Sequence, residues 1–378
     1  MSAPARSQNE ALAARLDALL ARTVERRKHV RHGLLAVMRV DGSWGWEGAH
    51  GTLDESGSPA TTDARYPVAS VTKLFTAVSV LRLVEQDEVA LHDRIVDILP
   101  DNVTGGLHVL DGVDHMTEIT VEHLLGHTSG LPDYYEEAPP GQRSAQDRLL
   151  AGEDAPMPFD EVLRVVRDDL KPHFVPQPLN VAKSKARYAD TNYQLLGAVI
   201  ESVTGKALHD VFDEMLFAPL GLDDTSSYPH PPRSGASAEP HARIWSKDTV
   251  LVAEGALRFQ GPDGGIISTL TDQTRFLAAV VRGEVFDDPT TWPRMQQRFN
   301  RVFFPIDYGL GVMRYAPPRW MSPLYAIPPI VGHTGSTATW LFHCPDLGVV
   351  TAGTFDVAQP PLPFRVLPQV LRAVSAAS

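Results

Sequence analysis

The chain has 378 residues and a formal net charge of −12. An acidic surface repels phosphate backbones and argues against a nucleic-acid partner. No stretch approaches the roughly 18–20 unbroken apolar residues that a membrane-spanning helix needs. The 43% hydrophobic and 21% charged residues are ordinary for a globular protein, and the length supports one large domain or two smaller ones.

The first thirty residues lack the apolar core of a signal peptide. Leu12, Leu16, Leu19 and Leu20 fall at helical spacing between charges, so the segment is expected to be an amphipathic helix and the location cytoplasmic. "HGLLAVMRV", "DG" and "SWGWEGA" then read as a hairpin over Gly33 to Ala49. From Val71 to Val84 the apolar residues Leu74, Phe75, Ala77, Val78, Leu81 and Val84 share one side of a helix.

A long helical middle follows. "ITVEHLLGH", "NYQLLGAVIESVTG", "HDVFDEMLFAPLGL" and "STLTDQTRFLAAVVRG" are helical stretches, with Ser268 or Thr271 expected to cap the last and Gly283 to end it. "YGLGVMRY", "TATWLFHC" and "GVVTAGTFDV" have strand character, and Phe364 to Val374 is again helical. The fold class is therefore α+β. One antiparallel sheet is built from both chain ends and flanked by the terminal helices, beside a mostly helical lobe. Residues 1–70 with 300–378 are expected to form the sheet lobe, and 71–299 the helical one.

The single cysteine, Cys344, excludes an intrachain disulfide. Its neighbour His343 would point to the opposite face of a strand, so no Cys–His pair is expected. His29 with His32, and Asp111, Asp114 and His115, lack four-ligand zinc spacing, and no metal or other cofactor is expected. There is no Gly-x-Ser-x-Gly elbow either.

Three stretches offer chemistry. In "PVASVTKLFTAV", Ser70 and Lys73 stand one helical turn apart, where a lysine can serve a serine nucleophile. It can do so only if burial or a nearby cation lowers its pKa. In "ARYADTNYQLLG", Tyr188 is a proton-relay candidate, and Asp190 or Thr191 is expected to cap a helix. In "VGHTGSTATW", His333 supplies an imidazole and Thr334 a hydroxyl. Gly335 would let a substrate approach the backbone, and the Ser336 amide could face a reacting carbonyl. Tyr134, Trp340 and the aromatic run from Phe303 to Tyr325 are candidate cleft walls. Taken alone, each stretch also has a plain structural reading.

Together, "SVTK", "YAD" and "HTG" in this order resemble the three active-site motifs of the serine β-lactamase and penicillin-binding-protein superfamily. They are most similar to the class C β-lactamase-like branch, which includes D-alanyl-D-alanine carboxypeptidases, D-aminopeptidases and many esterases. "LLGHTSGLPDY", "GGIISTLTDQTRFL" and "YGLGV" resemble the same branch, and the similarity runs from about Gly33 to about Asp356. The resemblance implies Ser70 as the nucleophile of an acyl-enzyme and Lys73 with Tyr188 as its proton-handling pair. It also implies His333 where many relatives carry lysine, and the backbone amides of Ser70 and Ser336 as the oxyanion hole.

Two positions depart from the pattern. Asp190 replaces an asparagine and, if ionised, cannot donate to a substrate carbonyl. His333 replaces a lysine and holds a carboxylate less strongly. The expected activity is a serine hydrolase acting on a small ester or amide. Acyl transfer to a metabolite, D,D-carboxypeptidase or β-lactamase chemistry, and a penicillin-binding sensor without turnover are the alternatives.

Overall fold

Strands from the two ends of the chain meet in one eight-stranded antiparallel sheet. The computed structural model describes residues 3–153, 157–178, 184–251, 261–322, 325–355 and 357–377. The strands are β1 (His32–Arg39), β2 (Gly45–Gly51), β3 (Asn300–Phe303), β4 (Ile306–Tyr308), β5 (Met313–Tyr315), β6 (Ile330–Thr334), β7 (Trp340–Cys344) and β8 (Val349–Phe355). Their spatial order is β3-β4-β5-β6-β7-β8-β1-β2. The seam between the chain ends is the pairing of β1 with β8, from Gly33 opposite Phe355 to Arg39 opposite Val349.

Both faces of this sheet are covered, which is why β8 (VVTAGTF) is buried at every position. Along β1, Leu34 and Ala36 enter one core, while Leu35 and Val37 enter the other. The second core lies under the terminal helices α1 (Ala3–Glu25) and, at the other end, Pro363–Ser375. Leu12, Leu16, Leu19 and Leu20 are all buried there, as their spacing required. Cys344 points into this core and His343 to the opposite face, near Trp292.

The first core joins the sheet to the helical lobe through α2 (Thr72–Glu85), α3 (Asp190–Thr204) and α4 (Leu270–Arg282). Helix α4 packs across β1, β7 and β8. Phe276 of α4 stacks on Phe75 of α2, with ring centroids 3.8 Å apart. Every residue of α2 from Thr72 to Leu81 is buried, a wider burial than the one-sided stripe implied. A small three-stranded sheet lies at its start, where Tyr66–Pro67 and Ser226–Ser227 flank Ile266–Ser268. Among the described residues no helix is long and apolar enough to cross a membrane.

Local chemistry corrects three details. Thr269 caps α4 by accepting the Asp272 N–H, because Ser268 still belongs to a strand. Neither Asp190 nor Thr191 caps α3; Ala189 is the N-cap residue and makes no side-chain cap. "YGLGVMRY" is two strands, since the chain reverses between Tyr308 and Met313, where the Gly309 N–H donates to the Val312 carbonyl.

Candidate active site

Ser70 lies in a single 3-10 turn, Ala69–Val71, that leads directly into α2. From Ala64 to Leu81 it is the one residue that is not buried. Ala69 before it has φ of +49°. A left-handed alanine costs of order 1–2 kcal/mol and persists only where its surroundings over-determine it. Here the Val68 N–H donates to the Ile266 carbonyl, the Val68 carbonyl accepts from Thr339 Oγ1 at 2.9 Å, and the Ile266 N–H donates to Thr72 Oγ1. The turn is therefore held on both sides, and the serine is presented at its apex.

Helical spacing places Lys73 behind Ser70, with Nζ 3.2 Å from Oγ. The ammonium is fully buried and also donates to the Asp263 carbonyl at 2.8 Å. Its ion-pair partner is Asp190 Oδ1, at 2.6 Å. Burial alone would lower its pKa, as the sequence led us to expect. The carboxylates of Asp190 and Asp263 outweigh burial, and the net shift is upward. Lys73 is thus a cation in the resting site, and Asp190 is spent on it instead of facing a substrate.

Tyr188 sits two residues before α3 and turns its hydroxyl toward Ser70. That hydroxyl is buried and makes no well-formed hydrogen bond. Burial, reinforced by the nearby Asp190 charge, raises its pKa well above the usual phenol value, and Ser70 opposes this only in part. The Tyr188 phenol therefore keeps its proton. Lys73 Nζ lies 5.2 Å from the Tyr188 ring centroid.

His333, on β6, is fully buried, and its Nδ1 lies 2.8 Å from the Thr334 carbonyl. Its Nε2 lies 3.0 Å from the Tyr308 hydroxyl, which itself donates to the Tyr193 hydroxyl at 3.1 Å. Burial, then the charge of Lys73, lowers its pKa to about 3. His333 is neutral and locked, and it supplies no charged anchor. The Thr334 hydroxyl donates to the Thr339 carbonyl and closes the same turn.

Gly335 has a packing role of its own. A Cβ there would lie 2.1 Å from Thr339 Oγ1 and 2.9 Å from both Ala69 Cβ and the Val68 carbonyl oxygen. The glycine lets the third motif press against the turn that carries Ser70, and the partly exposed Ser336 follows it. Gly335→Ala is expected to destabilise the fold by about 1–3 kcal/mol through overpacking. It should also lower kcat/KM at least tenfold by shifting Ser70; urea unfolding and ester kinetics measure the two effects.

Two expected cleft residues lie elsewhere. Trp340 is fully buried on the terminal-helix face of the sheet, against Phe355, with its indole N–H donating to Thr351 Oγ1. The two strand faces are both apolar, so alternation gave no sign of which one faces the site. Tyr134 is 2% exposed, and its hydroxyl donates to Asp263 Oδ2 at 2.9 Å. It supports the carboxyl beside Lys73 from below and does not line the cleft. In the aromatic run, Phe303, Phe304 and Trp320 are exposed, while Pro323 and Leu324 lie outside the described residues. Sequence reasoning missed Asp263, whose carbonyl reaches Lys73 from 190 residues away, and Tyr308, the partner of His333. Neither carries a local signal.

Known proteins share sequence and fold with this chain. The chain is 33% identical over 217 residues to esterase EstB from Burkholderia gladioli, covering 56% of this chain and 51% of that protein. It is 31% identical over 263 residues to penicillin-binding protein 4 from Amycolatopsis lactamdurans, covering 66% and 58%. The match thus spans little more than half the length of these relatives. Among solved structures, D-amino acid amidase from Ochrobactrum anthropi SV3 superposes with a TM-score of 0.75 at 21% identity, over 97% of this chain and 100% of that one, and so shares the fold. A family model described as Beta-lactamase matches residues 12–375, nearly the whole length, and the chain belongs to that family.

Proposed function

We propose that the protein is a serine hydrolase that acylates Ser70 with a small ester or amide. The observation that carries this is the single accessible serine on a buried helix start, with a buried ammonium 3.2 Å behind its hydroxyl. The esterase and amidase names among its relatives support the same reading. Ester substrates are favoured. Asp190 is engaged by Lys73 and, as a carboxylate, cannot donate to the carbonyl of a substrate amide.

The proton path follows from the charges. Lys73 accepts the Ser70 proton as the neutral amine, a form that the Asp190 carboxylate, 2.6 Å from Nζ, disfavours by stabilising the ammonium. Ser70 Oγ then attacks the carbonyl carbon. The oxyanion forms toward the backbone amides of Ser70 and Ser336, which stabilise charge absent from the ground state. Tyr188 protonates the departing alkoxide, and a water molecule hydrolyses the acyl-serine by the reverse proton path. The test is steady-state turnover of chromogenic esters of graded acyl length. Turnover is expected to fall at least a thousandfold in Ser70→Ala, and full activity in that variant would sink the proposal.

A further inference from the structure

We propose that His127 is a positioning residue for Tyr188, holding both backbone amides that flank the tyrosine. This rests on the reading of Tyr188 as the proton donor. Residues 184–189 approach α3 without regular secondary structure, so no ladder or helix fixes the tyrosine. His127 does so from across the site. Its carbonyl accepts the Arg187 N–H at 2.9 Å, and its Nδ1 accepts the Ala189 N–H at 3.2 Å. Nδ1 also lies 3.0 Å from Asn192 Nδ2. The Asn192 amide is oriented in turn, because its Oδ1 accepts from the Ser129 hydroxyl at 2.6 Å, and Ser129 Oγ accepts the Leu131 N–H. The "HTSGL" segment and the start of α3 are thus bolted together around Tyr188.

Four further features single out this residue. With two donors on Nδ1, its proton sits on Nε2, and that buried atom has no hydrogen-bond partner. Burial, then the charge of Lys73, holds the ring neutral, so it contributes shape and acceptor geometry without charge. The ring centroid is 4.6 Å from that of Tyr188 and 4.4 Å from that of Tyr308, the latter edge-on at 78°. His127 also has φ of +55°, a strained backbone kept at the heart of the site.

The test separates acceptor from ring. His127→Phe keeps an aromatic ring and loses the acceptor. His127→Asn keeps an acceptor near the Nδ1 position and tolerates the left-handed backbone. His127→Phe is expected to lower kcat at least tenfold with KM within about threefold, and His127→Asn to keep kcat within about threefold. If the bulkier variant does not fold, His127→Ala carries the same expectation. In a Tyr188→Phe background the His127 change should cost at most about twofold, because its effect passes through the tyrosine. An unchanged kcat in His127→Phe, no rescue in His127→Asn, or an equal loss in the Tyr188→Phe background overturns the proposal. Ser70→Ala and Tyr188→Phe are measured alongside. If both lose turnover and His127→Phe does not, the positioning role alone fails; if Ser70→Ala keeps turnover, the hydrolase reading fails.

Discussion

Lys73→Met is expected to lower kcat by about 10²–10⁴-fold, the range for loss of a positioned proton-transfer group. It should also destabilise the fold by about 3–5 kcal/mol, because Asp190 is left buried and unpaired. The two losses have different origins and can be separated. In Lys73→Met/Asp190→Asn both charges are gone, and most of the stability should return while activity stays lost. Urea unfolding and ester kinetics on the same three proteins read this directly. If the double variant is as unstable as Lys73→Met, the ion pair is not what holds that corner of the fold. If Lys73→Met turns over normally, the lysine has no part in the chemistry.

Asp190→Asn is expected to move the acid limb of the pH profile of kcat/KM downward by about one unit or more. The sign follows from the opposing influences on Lys73. Burial favours the neutral amine and lowers the pKa; Asp190, then Asp263, favour the ammonium and raise it, and their sum prevails. The base form of Lys73 is needed for acylation, so activity rises with pH as the ammonium loses its proton. Removing the Asp190 charge leaves burial the larger influence, and the lysine deprotonates at lower pH. One pKa unit corresponds to about 1.4 kcal/mol between the two protonation states. An acid limb that stays in place or moves upward would show that Asp190 does not control the lysine.

The parts of this site that are local in the chain were legible in its sequence. Ser70 and Lys73 are one helical turn apart, and the helix that aligns them announces itself by its apolar residues. The sheet assembled from both chain ends was legible too, because the strand patterns cluster there. What escaped depends on contacts across the chain. The pKa of Lys73 shifts upward because Asp190 and Asp263, both distant in sequence, converge on a helix start. That Gly335 admits no Cβ was likewise hidden, because the atoms it would meet belong to Thr339, Ala69 and Val68. Trp340 could not be assigned a face from a strand whose two sides are both buried. His127 gave no chemical signal at all, since its role lies in the backbone amides of residues some sixty positions away.

The central claim is covalent chemistry at Ser70, and intact-mass analysis of rapidly quenched turnover tests it most directly. With a chromogenic butyryl ester in excess, the protein is expected to gain one butyryl mass, located by peptide mapping at Ser70 and lost again as substrate is consumed. Ser70→Ala should show neither adduct nor turnover. An adduct on another residue, or undiminished turnover by Ser70→Ala, would contradict the account.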